Sequence, residues 1–402
     1  MTRCWGVIRL LGLCLCLAIL WPTARGWTAT SLNINIYGPG QSSINTIIPP
    51  ARALSAQDRN ASSPSRIRAL QKTLHEDLGF LPFIRYLPAE DVLGGTELQG
   101  VNRESLDFKR FQMSHVDLLC TIGWRAQGDE GQHVELRAFD VYTGRLLLGR
   151  GYVLKNSEHV LQASQRFCAG LMRELTGRSG FFTSELAFVR KKDGEKDIYV
   201  CTPQGRSLRP LVDLDGYCLS PTWSWEGNKL ALSFVGRERH ELVIWDDQAQ
   251  SLTRTTLPGN TIISPTFWPG HGLVVSVDPR KSPDIYALDQ DLQLGQPLVE
   301  HWAIDISPQF DASGQAMSFV SSRFGNPHIF LRHTDSGRIE RISFEGTYNT
   351  NPSISPDGRF VAYSRLMKDQ GHRIIVHDRQ SKTERQVSFG PGNDEDPAWG
   401  PD

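Results

Sequence analysis

The sequence is poor in cysteine, has no apolar run long enough to cross a bilayer, and carries almost no net charge. Of its seven cysteines, Cys4, Cys14 and Cys16 lie in a leader-like N-terminus, which leaves Cys120, Cys168, Cys201 and Cys218. Four cysteines in a chain of this length do not make a disulfide scaffold. An oxidising compartment would permit Cys201 with Cys218, or Cys120 with Cys168, and buried free thiols are the plainer reading. The apolar run from Leu10 to Trp21 falls short of the ~20 residues a membrane helix needs, and no later stretch approaches it. With Arg3, Arg9 and Arg25 removed from the 43 Lys and Arg, the 44 Asp and Glu leave a mature charge of about −4. That balance asks for neither nucleic acid nor anionic lipid. His/Cys clusters at metal spacing, a Gly-x-Ser-x-Gly elbow, a phosphate loop and a Gly-x-Gly-x-x-Gly fingerprint are all missing, so no metal, cofactor or catalytic residue is expected.

What is present begins with an export signal. Arg3 and Arg9 flank the apolar run, and Ala24-Arg25-Gly26 supplies a small-residue cleavage site, so residues 1–26 read as a signal peptide and the mature chain starts near Trp27. Lipidation is not expected, because Cys14 and Cys16 each follow leucine. Residues 27–178 read as a small α/β domain. Alternation in Leu32-Asn33-Ile34-Asn35-Ile36 suggests a strand that Gly38-Pro39-Gly40 interrupts. Ile67, Leu70, Leu74 and Leu78 recur at helical steps from Ser65, with Ser63 or Ser65 as candidate cap. Strands are expected at Val116 to Gly123 and His133 to Val141, and a last helix from about Glu158 to Leu175 ending at Gly177. This order suits a mixed sheet with helices on one face.

From residue 179 to 402 the texture turns to short β-rich runs with a repeat. Its units are Ser220-Pro221-Thr222-Trp223, Ser264-Pro265-Thr266-Phe267, Ser307-Pro308-Gln309-Phe310 and Asn351-Pro352-Ser353-Ile354, with a partial copy at Asp396-Pro397-Ala398-Trp399. Successive prolines lie roughly 44 residues apart, the period of a four-stranded propeller blade. Proline opens a short inner strand, the aromatic or Ile two places on packs between blades, and a Gly-containing turn such as Asp357-Gly358 reverses the chain. Such blades bury their faces only by stacking around a ring. There is material for five blades. The terminal Pro397-Ala398-Trp399 either closes the ring onto Ser184 to Val189 or opens a sixth blade.

This arrangement resembles the TolB family, periplasmic propellers of the Tol-Pal system in the Gram-negative envelope. The resemblance runs from about Leu32 to the end. It rests on Leu175-Thr176-Gly177 leading into Phe182-Thr183-Ser184-Glu185-Leu186-Ala187-Phe188-Val189, on the Ser-Pro-x-aromatic copies, and on Glu345-Gly346-Thr347-Tyr348-Asn349. It implies a six-bladed propeller behind a small α/β domain, and a non-enzymatic role in outer-membrane integrity and in invagination during cell division. It further implies that the propeller holds Pal, a peptidoglycan-associated lipoprotein, while the mature N-terminus engages the inner-membrane protein TolA.

In a propeller the segment before each inner strand sits at one mouth of the channel. The candidate rim is therefore Tyr217, Thr261, Ser264, Asp305, Ile306, Asn349, Asn351, Asp394 and Asp396, and the resemblance makes Leu32, Asn33, Ile34, Asn35 and Ile36 the second contact. A propeller enzyme, a lyase or hydrolase with a channel-centred site, is the competing class. Thr261, Ile306 and Asn349 do not supply the His, Arg and acid that a lyase needs, and the chain has no room for an α/β-hydrolase domain. His240, His328, His372 and His377 read as satisfied strand or loop residues. Asp197, Asp284 and Asp378 read as turn and inter-strand acceptors in one shared register. Trp223 and Trp399 are expected in blade packing, while Trp225 and Trp268 sit in turn positions where exposed contact is the minority reading.

Overall fold

The computed structural model describes residues 43–55, 63–126, 131–192 and 194–401, so the leader and the strand expected at 32–36 lie outside the described residues. The N-terminal part runs β1 (Ile44–Ile47), β2 (Arg52–Ala53), α1 (Ser65–Gly79), β3 (Ile84–Tyr86), α2 (Phe108–Met113), β4 (Leu118–Ala126), β5 (Gln132–Asp140), β6 (Arg145–Leu154) and α3 (Ser157–Thr176). The sheet order is β3-β1-β4-β5-β6, with β2 also on β4. It is parallel on the β1 side and antiparallel from β4 to β6.

Strand alternation separates two cores. On one face Cys120, Ile122, Val134 and Leu136 meet α1 and α3 through Ile67, Leu70, Leu74, Phe167 and Leu171. Each fully buried aliphatic side chain here contributes about 1.5–3 kcal/mol. On the other face Leu119, Phe139 and Val141 pack against Phe111 of α2, so helices lie on both faces rather than one. The six-residue α2, whose Arg110 N–H donates to Asp107, is too short to show a period in the sequence. Neither expected serine caps α1: Pro64 holds that position, its carbonyl accepting from Ile67 and Arg68. At α3, Asn156 caps the start and Gly177, at φ 77°, ends the helix in the left-handed region that glycine adopts without strain. All four cysteines are buried free thiols, and burial pushes those of Cys120 and Cys218 up to about 12.

The propeller follows. Blade one is β7 (Leu186–Lys192), β8 (Glu195–Cys201) and β9 (Arg209–Val212); blade two is β10 (Tyr217–Trp223), β11 (Lys229–Val235), β12 (His240–Asp246) and β13 (Ser251–Thr255). Blade three is β14 (Ile262–Trp268), β15 (Gly272–Val277), β16 (Asp284–Leu288) and β17 (Leu294–Val299). Blade four is β18 (Asp305–Phe310), β19 (Ala316–Ser321), β20 (His328–His333) and β21 (Ile339–Arg341). Blade five is β22 (Asn349–Ile354), β23 (Phe360–Met367), β24 (Gly371–Asp378) and β25 (Thr383–Gln386). Blades two to five are antiparallel in chain order, and blade one joins blade two through a parallel bridge between Tyr217 and Lys196.

Blades are tied by recurring backbone bonds. Asp305 N–H donates to Pro283 O at 2.9 Å and Asn349 N–H to Pro327 O at 3.0 Å. The terminal stretch repeats this bond, Asp394 N–H to His372 O at 3.0 Å, and Trp399 stacks on Phe360 while its indole N–H donates to Ser353 O. Residues 393–401 thus lie where the inner strand of a further blade would start. They form no strand and belong to no sheet with β7, so the expected pairing of the two ends is absent. The bonds that seat an inner strand come from the blade before it, and those bonds hold the terminal stretch.

Trp225 and Trp268 also bridge blades, Trp225 while remaining exposed. Trp225 donates to Phe267 O at 3.1 Å, and Trp268 donates to Gly314 O while stacking on Phe310 at 5.2 Å. The α/β domain meets the propeller at the turn between β8 and β9. There Arg206 donates to Asp77 at 2.5 Å and to Glu76 at 2.8 Å, and Asp77, fully buried, also accepts the Ser164 hydroxyl.

Candidate protein-binding face

Each inner strand opens with the same local distortion. Ser220, Ser264, Ser307, Asn351 and Asp396, all immediately before proline, have φ between 46° and 57°. A residue before proline is pushed out of the right-handed helical region, and a left-handed residue forces a bulge. Such an irregularity follows in β10, β14, β18 and β22. Ser220, Ser264, Ser307 and Asn351 consequently stay half-buried, as do their neighbours Leu219, Ile263, Ile306 and Thr350.

These residues meet from blade to blade. The Ser264 and Ser307 hydroxyls are 3.3 Å apart, and the Asn351 amide donates to the Asp396 carboxylate. Burial, then repulsion from Glu395, raises the Asp396 carboxyl above the usual carboxylate range. Ser264, Asn351 and Asp396 from the expected rim thus share one structural position. Ser220 and Ser307 complete it, and the signal for them was the residue directly ahead of the repeated proline.

Other expected rim residues lie elsewhere. Asp305 is fully buried and held by Arg323 at 3.1 Å, while Asn349, also fully buried, accepts from Arg365 at 2.9 Å and donates to Glu345 O. Both lie inside the blades, ahead of the bulge and paired with Ser321 and Arg365 of the next strand. Ile306 packs against the apolar core shared by blades four and five. Tyr217 is exposed with the Lys196 ammonium 5.8 Å from its ring, Thr261 donates its N–H to Asp278, and Asp394 stands 3.6 Å from Arg373.

A polar cavity of about 380 Å³ opens beside Thr261, lined by Arg237, Arg239, His240, Thr256 and Asn260. Gly259 closes its floor at φ 104°, where a Cβ would meet Asp278 at 2.7 Å. Among the described residues no three His, Cys, Asp or Glu side chains converge as a metal site would need.

The aspartates expected in one register divide into two. Asp284, at the start of β16, accepts the His301 N–H, whereas Asp378, at the end of β24, caps a turn by accepting from Gln380 and Ser381. Asp378 matches Asp246, which accepts from Gln248 and Ala249. An Arg359 ion pair holds the Asp378 carboxyl down to about 2. His328 is buried against Arg341 and Asn349, and burial followed by the charges of Arg341 and Arg365 lowers its pKa.

A repeat-built β-propeller with an α/β domain at its β8–β9 turn and a recurring polar residue before each inner-strand proline is the class that fold and site define. A family model described as "TolB beta propeller domain" matches residues 172–402. The chain is 41% identical over 325 residues to "Tol-Pal system protein TolB" of Nitratidesulfovibrio vulgaris, covering 80% of this chain and 71% of that one. It is 27% identical over 271 residues to "Protein TolB homolog" of Chlorobium luteolum, covering 67% of this chain and 61% of the relative. The crystal structure of TolB from Acinetobacter baumannii superposes with a TM-score of 0.70 at 18% identity, over 89% of this chain and 86% of that one. The chain belongs to the TolB family and is a Tol-Pal system component by its relatives. Among the described residues no helix is long and apolar enough to cross a membrane.

Proposed function

We propose that the chain is a periplasmic, non-enzymatic protein-binding component of the Tol-Pal system, needed for outer-membrane integrity and for invagination during division. Its propeller mouth holds a Pal-type lipoprotein, and its mature N-terminus, about Trp27 to Ile36, engages a TolA-type protein. The observation that carries this reading is the shared pre-proline position, Ser220, Ser264, Ser307, Asn351 and Asp396, half-exposed or exposed and polar in every copy. Polar groups repeated around a mouth suit a protein surface rather than a small apolar ligand.

The test is capture of a Pal-type lipoprotein by calorimetry. Asp394→Lys with Asp396→Lys, or Ser264→Trp, should weaken capture by about 1–4 kcal/mol, the range of a central contact, with the folded spectrum intact. Unchanged affinity in both variants would place the partner elsewhere. Deleting residues 27–36 should abolish TolA-type binding and leave Pal-type capture in place.

A further inference from the structure

The two edges of the α/β sheet are unequal. At one end β3 spans three residues, while at the other β6 spans ten and, among the described residues, pairs with β5 alone. Helix α3 covers a face of β6, and no other described strand lies on its edge. A strand of this length carries a row of outward N–H and C=O groups, a template for another strand.

Three features say what the template fits. First, Gly149 and Gly151 stand opposite Arg137 and Glu135, and the missing side chains leave a notch of about 240 Å³ lined also by His133 and Arg150. Alternating glycines in a strand allow close approach of another backbone. Second, Arg137 spends one guanidinium nitrogen on Glu135 at 2.5 Å, whereas its Nη1 and the Nδ1 of His133 have no partner. Third, the edge is basic: Arg145 and Arg150 are exposed on it and Lys155 follows, while the nearby Asp140 is buried and accepts the N–H groups of Tyr142 and Thr143. A second copy of β6 would set Arg145 and Arg150 against themselves, and like charges across a strand pair repel.

We propose that β6 accepts, by strand addition, an extended acidic segment of a partner protein. On the face of the notch one carboxylate accepts from Arg137 Nη1, flanked by apolar residues that meet the exposed Leu146 and Val153; on the opposite face other carboxylates pair with Arg145 and Arg150.

The probe is a fluorescein-labelled peptide matched to β6 in length, with glutamate along one face and a single central glutamate among the valines of the other, titrated into the full chain and read by anisotropy and hydrogen exchange. The acidic peptide should bind at least about tenfold more tightly than a lysine–valine peptide or its own alternately N-methylated form, and should slow exchange of β6 amides. Arg145→Glu with Arg150→Glu, both exposed, should invert the charge preference, and Gly151→Val should fill the notch and weaken binding. The proposal falls if the acidic peptide does not bind, if N-methylation or charge reversal leaves its affinity unchanged, or if protection appears away from β6. It also falls if the chain dimerises through β6, seen by sedimentation as a concentration-dependent dimer lost in the Arg variant.

Discussion

A left-handed residue before each inner-strand proline is a costly choice for anything but glycine, asparagine or aspartate, and three of the five copies use serine. Ser307→Val should therefore destabilise the chain by about 1–2 kcal/mol, since a β-branched side chain meets the following carbonyl there, while Ser307→Gly should be neutral or gain stability. Urea unfolding checks both, and equal midpoints for valine and serine would remove backbone strain from the account. The proline period and the aromatic two places on were legible in the sequence. The inward turn of Asp305 and Asn349 was not, because the arginines that hold them, Arg323 and Arg365, come from the following strand or just after it and no local pattern marks those pairs.

Between blades four and five, a polar junction sits beside the shared apolar core. Arg365, almost wholly buried, donates to Asn349 at 2.9 Å, to Glu384 at 2.5 Å and to the Tyr363 hydroxyl at 2.8 Å. Arg365→Met strands these acceptors and should cost about 3–5 kcal/mol, read as a lower thermal midpoint, because removing one partner of a buried pair leaves the other charge uncompensated. His328 sits in the same junction, facing Arg341, Asn349, Ser343 and, across the blades, Arg365. Its folded pKa lies below the unfolded 6.5, so the unfolded chain binds the proton first, and stability falls as pH drops through that value. The midpoint should therefore decline from about pH 7.5 to about pH 5.5, and His328→Gln should flatten that decline. At this scale α1, β5 and α3 could be read from periodicity to within about a residue. Helix α2 and the three-residue turns at Ala89–Asp91 and Arg103–Ser105 could not, being shorter than any period.

Across the whole molecule, Arg206 ties the β8–β9 turn to α1 through Asp77 and Glu76. Nothing local announced it, since 129 residues separate Arg206 from Asp77. Arg206→Ala leaves the Asp77 carboxylate with the Ser164 hydroxyl and should cost about 3 kcal/mol, at the low end for a buried pair because Arg206 is partly exposed. The two parts should also separate in small-angle scattering, seen as a larger radius of gyration, and become cleavable near Arg178. Unchanged scattering would mean that other contacts set the domain arrangement.

The inter-blade bonds from Pro283 to Asp305, from Pro327 to Asn349 and from His372 to Asp394 each link a blade to the next one along the chain. Every such contact spans about half a repeat, so the loop entropy of making it stays small and does not grow as the propeller lengthens. Assembly of these blades can then proceed by accretion, each blade condensing on the finished surface of its predecessor. A chain threaded across a membrane from its N-terminus would meet those surfaces in the order in which it needs them.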